Sequence, residues 1–440
     1  MYNEVEAFLS GSTLRSYGLS GFWRAATNDK EFSTLLILAT SFWLLTSITK
    51  LPFIVPNYYS DVGYLWIRDV YAGHHNLQIP YFQYELEYPQ MIGALILIGQ
   101  AVSTYLPNVV DSYNTFVAVE SILLYPFMIG TIFNLWMLGR MLRLSRMKLY
   151  LYAVATLTFL VYGFYNWDFV VAYFTSLSIW LYLHRKFDGS ALALTAGVLT
   201  KFTPGVMLPA MLAGLPDNKP RLRFTVIAAA AWLVANVPFA VANFGVWIKL
   251  FIGYSGPNHQ LQNTWIAWPI QLSGLGDILS GSRYGIALSF AIIAYLVIRA
   301  VFSKRTPLEK ILLSWYAWYG AIYLFDPQMF IQLFPIVVLT PVFNFLIFRV
   351  ADALNVFIII FYFIGGNHPN WPWYIIDQLN PFGLTILEAA FRQLIFLSAY
   401  FLCFDPKRQK WLASIWSRLP HDVSFVGRLV SGQVESKRQA

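Results

Sequence analysis

The chain has 440 residues, of which 58% are apolar and 12% charged, with a mean hydropathy of +0.54. A soluble domain carries roughly 25% charged residues, so composition excludes an ordinary soluble globular fold. The net charge of +8 would suggest nucleic acid in a soluble protein; here the Lys and Arg residues sit in short loops between apolar blocks. The positive-inside rule accounts for that pattern, and no nucleic-acid partner is expected.

Read in chain order, residues 1–31 form an N-terminal cytoplasmic or interfacial segment, with a mildly amphipathic Ala7–Ala26 and no apolar core followed by a small-residue cleavage site. No cleavable signal peptide is expected. Residues 32–404 form a transmembrane domain, and 405–440 a basic cytoplasmic tail. A spanning helix needs about 20 mostly apolar residues to cross about 30 Å of hydrocarbon. Phe32–Val55, Thr115–Leu138, Phe224–Phe244 and Tyr284–Phe302 meet that test, and Ala351–Gly365 does so with its flanks.

Basic clusters at Arg140–Lys148, His184–Lys186, Lys219–Arg223, Arg299–Lys310, Arg349 and Lys407–Lys410 are placed in the cytoplasm. The loops Asn57–Tyr88, Asn166–Asp168, Gly253–Ser282, Asp326–Gln328 and Gly366–Pro381 hold few Lys or Arg and are placed outside. Two stretches break the zigzag. Pro89–Pro107 should start and finish on the outer side, re-entrant or tilted. Ser190–Pro216, interrupted by Lys201-Phe202-Thr203-Pro204, reads as two half-helices meeting at membrane depth. The expected fold is therefore an all-α polytopic membrane bundle of about ten full spans plus two irregular segments. One broken region is expected, and no internal repeat. The single Cys403 rules out an internal disulfide.

Ionisable residues at membrane depth are functional candidates by default. In the outer loop 56–88, Asp61, Tyr64 and Arg68 share a face if a helix starts near Asp61, with Asp69 one residue off it. Asp61 can be a general base toward a hydroxyl or a helix cap after Ser60. Asp168 in Asn166-Trp167-Asp168 has the same two readings. Proline at 204 frees backbone amides beside Lys201, a combination that attracts phosphate; the alternative is a lysine snorkelling to the cytoplasmic interface. The Trp- and Asn-rich loop around His368 suits sugar recognition or an aromatic belt. Asp61 and Asp69 could hold a divalent cation through oxygen ligands, but Gly63 stands where a D-x-D would have its second acid. No cofactor is assigned.

At these residues the sequence resembles the GT-C membrane glycosyltransferases. The nearest branches are the prokaryotic polyprenol-phosphate-mannose-dependent mannosyltransferases and the first mannosyltransferase of GPI-anchor synthesis. The matching features, in order, are Asp61, Tyr64 and Asp69 in the first outer loop; Pro80-Tyr81 followed by Glu87-Tyr88-Pro89; Asn166-Trp167-Asp168; and Thr200-Lys201 with Pro204 and Leu208-Pro209. Asp326-Pro327-Gln328 with Leu333-Phe334-Pro335 is a weaker fifth. Together they cover roughly residues 35–345. Gly63, and Gln90 in place of a second proline, depart from the family pattern.

The resemblance implies an inverting transfer of a hexose, expected to be mannose, from a polyprenyl-phosphate donor to a glycolipid or glycan acceptor at the outer face of a cell membrane, or the lumenal face in a eukaryote. It implies Asp61 as the general base. It implies a binding set of Tyr64, Arg68, Asp69, Tyr81, Glu87, Tyr88, Asp168, Lys201 and Gln328, with Lys201 at the donor phosphate and Arg68 as a second cation; His368 joins the set from the composition of its loop, outside the span of the resemblance. The alternatives are a lipid-linked oligosaccharide transporter or flippase, and a polysaccharide polymerase.

Overall fold

The computed structural model describes residues 19–51, 60–71, 77–105, 112–253, 264–266, 283–340, 345–367, 384–405 and 407. Among these there is no β-strand; the described chain is helices and short connections.

The helices begin where the sequence supplies caps. A short α1 (Leu19–Asn28) leads to α2 (Lys30–Ile48). Asp29 caps α2 by accepting from the amides of Glu31 and Phe32, both at 3.0 Å. The first apolar block thus ends its helix at Ile48, earlier than Val55. A one-turn α3 (Asp61–Leu65) runs straight into a π-helix, Trp66–Tyr71. Then come α4 (Gln90–Tyr105), α5 (Ser112–Met141), the short α6 (Arg146–Leu149) and α7 (Leu157–Tyr162). α8 (Asp168–Leu183) and α9 (Phe187–Val198) form an antiparallel hairpin.

After α9 the chain breaks into a 3₁₀ segment, Thr203–Met207, before α10 (Leu208–Gly214). The expected half-helix break is therefore present. α11 (Asn218–Ala242) follows, then the short α12 (Phe244–Trp247) and α13 (Lys249–Gly253), and α14 (Arg283–Val301). α15 (Pro307–Ala321) opens with a capping box between Thr306 and Glu309 and a proline in its first turn, the geometry that satisfies helix-start amides. A second 3₁₀ segment, Pro327–Leu333, then leads into α16 (Phe334–Leu339). The expectation of one broken region is corrected here: there are two, each with proline opening the 3₁₀ turn and again near the start of the short helix. α17 (Phe345–Asn367) and α18 (Leu384–Leu402) end the described fold.

Among the described residues three helices, α2, α5 and α11, are long and apolar enough to cross a membrane. α11 has only 11% of its apolar window buried within the protein, and Val234 and Val241 stand 75% and 81% exposed. An apolar surface of that kind marks a membrane or protein contact, and with the helix length it suggests a membrane protein. α4 has 16 residues, a length of about 24 Å, short of the roughly 30 Å of a bilayer core.

Packing runs α4–α5–α8–α9–α11 on one side and α14–α15–α18–α17 on the other. The second broken segment is wedged between them, with Gln328, Gln332 and nearly all of Phe330–Leu339 buried.

Candidate active site

The α8–α9 hairpin places the candidate site at one end of the bundle. Its turn, with the basic Arg185 and Lys186, lies at one end. Its other end brings Asp168 and Lys201 together. α8 has 16 residues, so the two ends are about 24 Å apart. Lys201 Nζ donates to Asp168 Oδ1 at 2.8 Å, with side chains 7% and 1% exposed. The snorkelling reading of Lys201 is thereby overturned: the ammonium points to the end away from the basic turn. Gln332, from the second broken segment, donates to the same Asp168 oxygen at 2.5 Å. Tyr319 donates to Gln332 Oε1 at 2.8 Å. The two breaks in the fold therefore meet on one carboxylate. Asp168 Oδ2 is buried without a hydrogen-bond partner among the described residues. The capping reading of Asp168 is also corrected, because Trp167 holds the cap position and the Asp168 side chain turns to Lys201 and Gln332.

Asp61 is the second centre. Ser60, not Asp61, caps α3, its hydroxyl accepting from Gly63 N at 3.1 Å. The cap leaves the Asp61 carboxylate for other partners. Asn166 Nδ2 donates to Asp61 Oδ2 at 2.7 Å, and Gln328 Nε2 donates to the same oxygen at 3.0 Å. Val62 N donates to Tyr165 O at 3.3 Å and ties α3 to the turn before α8. Gly63 explains its departure from the acidic pattern. A Cβ there would collide with the Tyr113 hydroxyl and crowd Ser60 Oγ at 3.2 Å.

Tyr88 joins the two centres. Its hydroxyl accepts from Asn166 Nδ2 at 3.0 Å, and Lys201 Nζ lies 5.5 Å from its ring centroid. Trp167 packs on it at 5.5 Å. Tyr81, at a φ of 66°, sends its hydroxyl to the Tyr88 carbonyl at 2.5 Å. Tyr81 and Glu87 thus belong to the strap carrying Tyr88, not to the carboxylate cluster.

The helix expected from Asp61 is a single α-turn, Asp61–Leu65, that continues from Trp66 as a π-helix carrying Arg68. Arg68 pairs with Glu87 at 3.2 Å and lies 5.6 Å from the exposed Tyr64 ring. Asp69 lies on the π-helix, and its side chain is outside the described residues; the cation option on Asp61 and Asp69 goes with it. His368 also lies outside them. Among the described residues no three acids, His or Cys gather as a metal group.

A cavity of about 540 Å³ opens beside Lys201. Its walls are mostly apolar and include Phe202, Trp232, Phe251, Phe290 and Trp318. Lys201 is the charged group on its lining.

Compared with family models, curated proteins and solved structures, the chain matches none.

Two participants escaped the sequence reading as site residues. Asn166 was visible within its motif but not as the donor to Asp61. Gln332 was visible as a polar residue in an apolar block.

Proposed function

We propose that the protein is an inverting GT-C-type glycosyltransferase, a multi-pass membrane enzyme whose site opens at the outer face. It moves a hexose, with mannose the first candidate, from a polyprenyl phosphate to a hydroxyl of a lipid- or glycan-linked acceptor. One observation carries the reading. A carboxylate oriented by two amides, Asp61 with Asn166 and Gln328, is linked through Asn166 to Tyr88, whose ring lies by a cation, Lys201, on the wall of an apolar cavity.

In this mechanism the acceptor oxygen attacks the anomeric carbon from the face opposite the phosphate. The C1–O bond to the phosphate breaks, and its electron pair leaves on the phosphate oxygen. Asp61 takes the acceptor proton, as a general base within hydrogen-bond reach would. Lys201 offsets the charge that grows on the leaving phosphate, where a fixed cation acts most strongly in the transition state. The apolar cavity takes the first isoprene units of the donor, and membrane lipid surrounds the rest. Ten full spans with both termini in the cytoplasm accommodate this sidedness, and the short α4 supports the tilted or re-entrant course of its segment.

Two broken helices meeting on a buried ion pair also favour a second reading, a lipid-linked oligosaccharide transporter, since transporters build sites from discontinuous helices. Purified protein, a panel of radiolabelled polyprenyl-phosphate hexoses and a glycolipid acceptor separate the two. Transfer by the native protein, abolished in a well-folded Asp61→Asn variant, is the expected result. Undiminished transfer by Asp61→Asn would remove the base assignment. Movement of a labelled lipid across vesicles without any transfer would favour the transporter.

A further inference from the structure

Behind the Asp326–Gln328 turn lies a second polar cluster that the transfer chemistry does not use. Arg392, midway along α18, is completely buried. Its guanidinium carbon lies 3.7 Å from the Phe325 ring centroid, and Nη2 donates to the Phe325 carbonyl. Nη1 donates to Asn355 Oδ1 at 2.5 Å. Asn355, on α17, passes the contact on. Its Nδ2 donates to the Pro327 carbonyl at 2.9 Å and to Thr158 Oγ1 at 3.0 Å. Tyr162 donates to the Asn355 carbonyl at 3.3 Å. The neighbouring Gln393 donates to the Ile322 carbonyl at 2.8 Å.

A guanidinium withdrawn from water costs several kcal/mol unless its donors are used. Here Nη2 is used on the Phe325 carbonyl and Nη1 on Asn355, while Nε is buried without a hydrogen-bond partner among the described residues. The carbonyls of Phe325 and Pro327 flank Asp326, and the residue after Pro327 is Gln328, whose amide lies on Asp61 Oδ2. A helix-to-helix staple would need only the Arg392–Asn355 contact. Two additional bonds fall on the turn, at the Phe325 and Pro327 carbonyls, and Asn355 also ties to Thr158 and Tyr162 on α7. The turn is therefore held at its carbonyls by Arg392 and Asn355 and reaches Asp61 through Gln328.

We infer that Arg392 is a positioning residue: through Asn355 and the carbonyls of Phe325 and Pro327 it holds the 325–328 turn so that the Gln328 amide stays on Asp61. The inference rests on the reading of Asp61 as the base, and its test has an arm that does not.

The first arm compares Arg392→Lys, Gln328→Leu and the double variant in the transfer assay, using protein that remains monodisperse in detergent. Arg392→Lys is expected to lower kcat about tenfold or more, as small misplacements at a reacting centre do, with the donor KM within about twofold. In the Gln328→Leu background the same change is expected to cost less than about twofold, because its effect passes through Gln328. Equal losses in both backgrounds would overturn the inference. The second arm measures hydrogen exchange by mass spectrometry. Peptides covering residues 322–333 should exchange about tenfold faster in Arg392→Lys, and also in Asn355→Ser should the arginine variant fail to fold, while α5 and α8 stay protected. Unchanged exchange of that stretch would overturn the clamp. If the native protein transfers no sugar at all, the glycosyltransferase reading fails, and the exchange arm alone decides the role of Arg392.

Discussion

At the scale of single residues, the Lys201–Asp168 pair shows how environment assigns a role. Either residue alone has a bland explanation in the sequence, one as a snorkelling cation and the other as a helix cap. Burial at 7% and 1% exposure removes both explanations. Removing one partner of a buried pair leaves a charge without compensation, at a cost of about 3–5 kcal/mol, whereas apolar replacement of both is often tolerated. Lys201→Met and Asp168→Leu should therefore each lower the melting temperature sharply in detergent. The double variant should melt above the worse single variant while remaining inactive in transfer. Additive destabilisation in the double variant would mean that the two charges do not depend on each other. Gly63 belongs to this scale too. The Tyr113 hydroxyl lies where its Cβ would be, so Gly63→Ala should lower stability and Tyr113→Phe should relieve part of the loss.

At the scale of elements, helix starts do much of the placing. Asp352, on α17, accepts from the amides of Leu157 and Thr158, both at 2.9 Å, and so caps α7 from another part of the chain. Thr156 adds a local cap at Phe159 N, at 2.9 Å. Losing a cap costs about 1 kcal/mol, and more where the amides are buried. Asp352→Ala is expected to lower the melting temperature more than Thr156→Ala, because it orphans two donors instead of one. Lys148, on the short α6 outside the spans, gives a pH dependence. Burial pushes its ammonium from the ordinary 10.5 down to about 8. Above about pH 8 the folded protein has released this proton while the unfolded chain still binds it, so stability rises with pH until about 10.5. Thermal melts across that window should show the rise in the native protein and a flatter course in Lys148→Met.

At the scale of the whole molecule, the proposed sidedness has a direct test. In a Cys403→Ala background, Ile67→Cys should react with an impermeant maleimide from outside intact cells. Arg185→Cys, at the basic end of the α8–α9 hairpin, should react only after permeabilisation. The reverse pattern would invert the orientation argued from the loop charges.

Much of this architecture was legible in the chain. Hydrophobic blocks announce helices that hydrocarbon can surround, because a backbone in lipid must satisfy its own hydrogen bonds. Lys201-Phe202-Thr203-Pro204 announced a break, because proline removes a donor and blocks the preceding turn. Asp61, Asp168 and Lys201 were singled out because ionisable groups at membrane depth are costly, and Tyr88 and Gln328 through the family resemblance. The second break at Pro327–Leu333 was readable only in part: its proline was visible, but its apolar residues also suit a continuous helix. Partners were another matter. Asn166 and Asp61 are 105 positions apart and Gln328 and Asp61 are 267 apart, and no local propensity encodes such pairings. The chain by itself determined which segments are helical and which residues are too costly to be idle. Only tertiary packing decided that Lys201 answers to Asp168, that Arg68 answers to Glu87, and that Gln328 reaches Asp61 from a turn held by Arg392. Burial and hydrogen-bond geometry, which make those choices, exist only once distant segments have met.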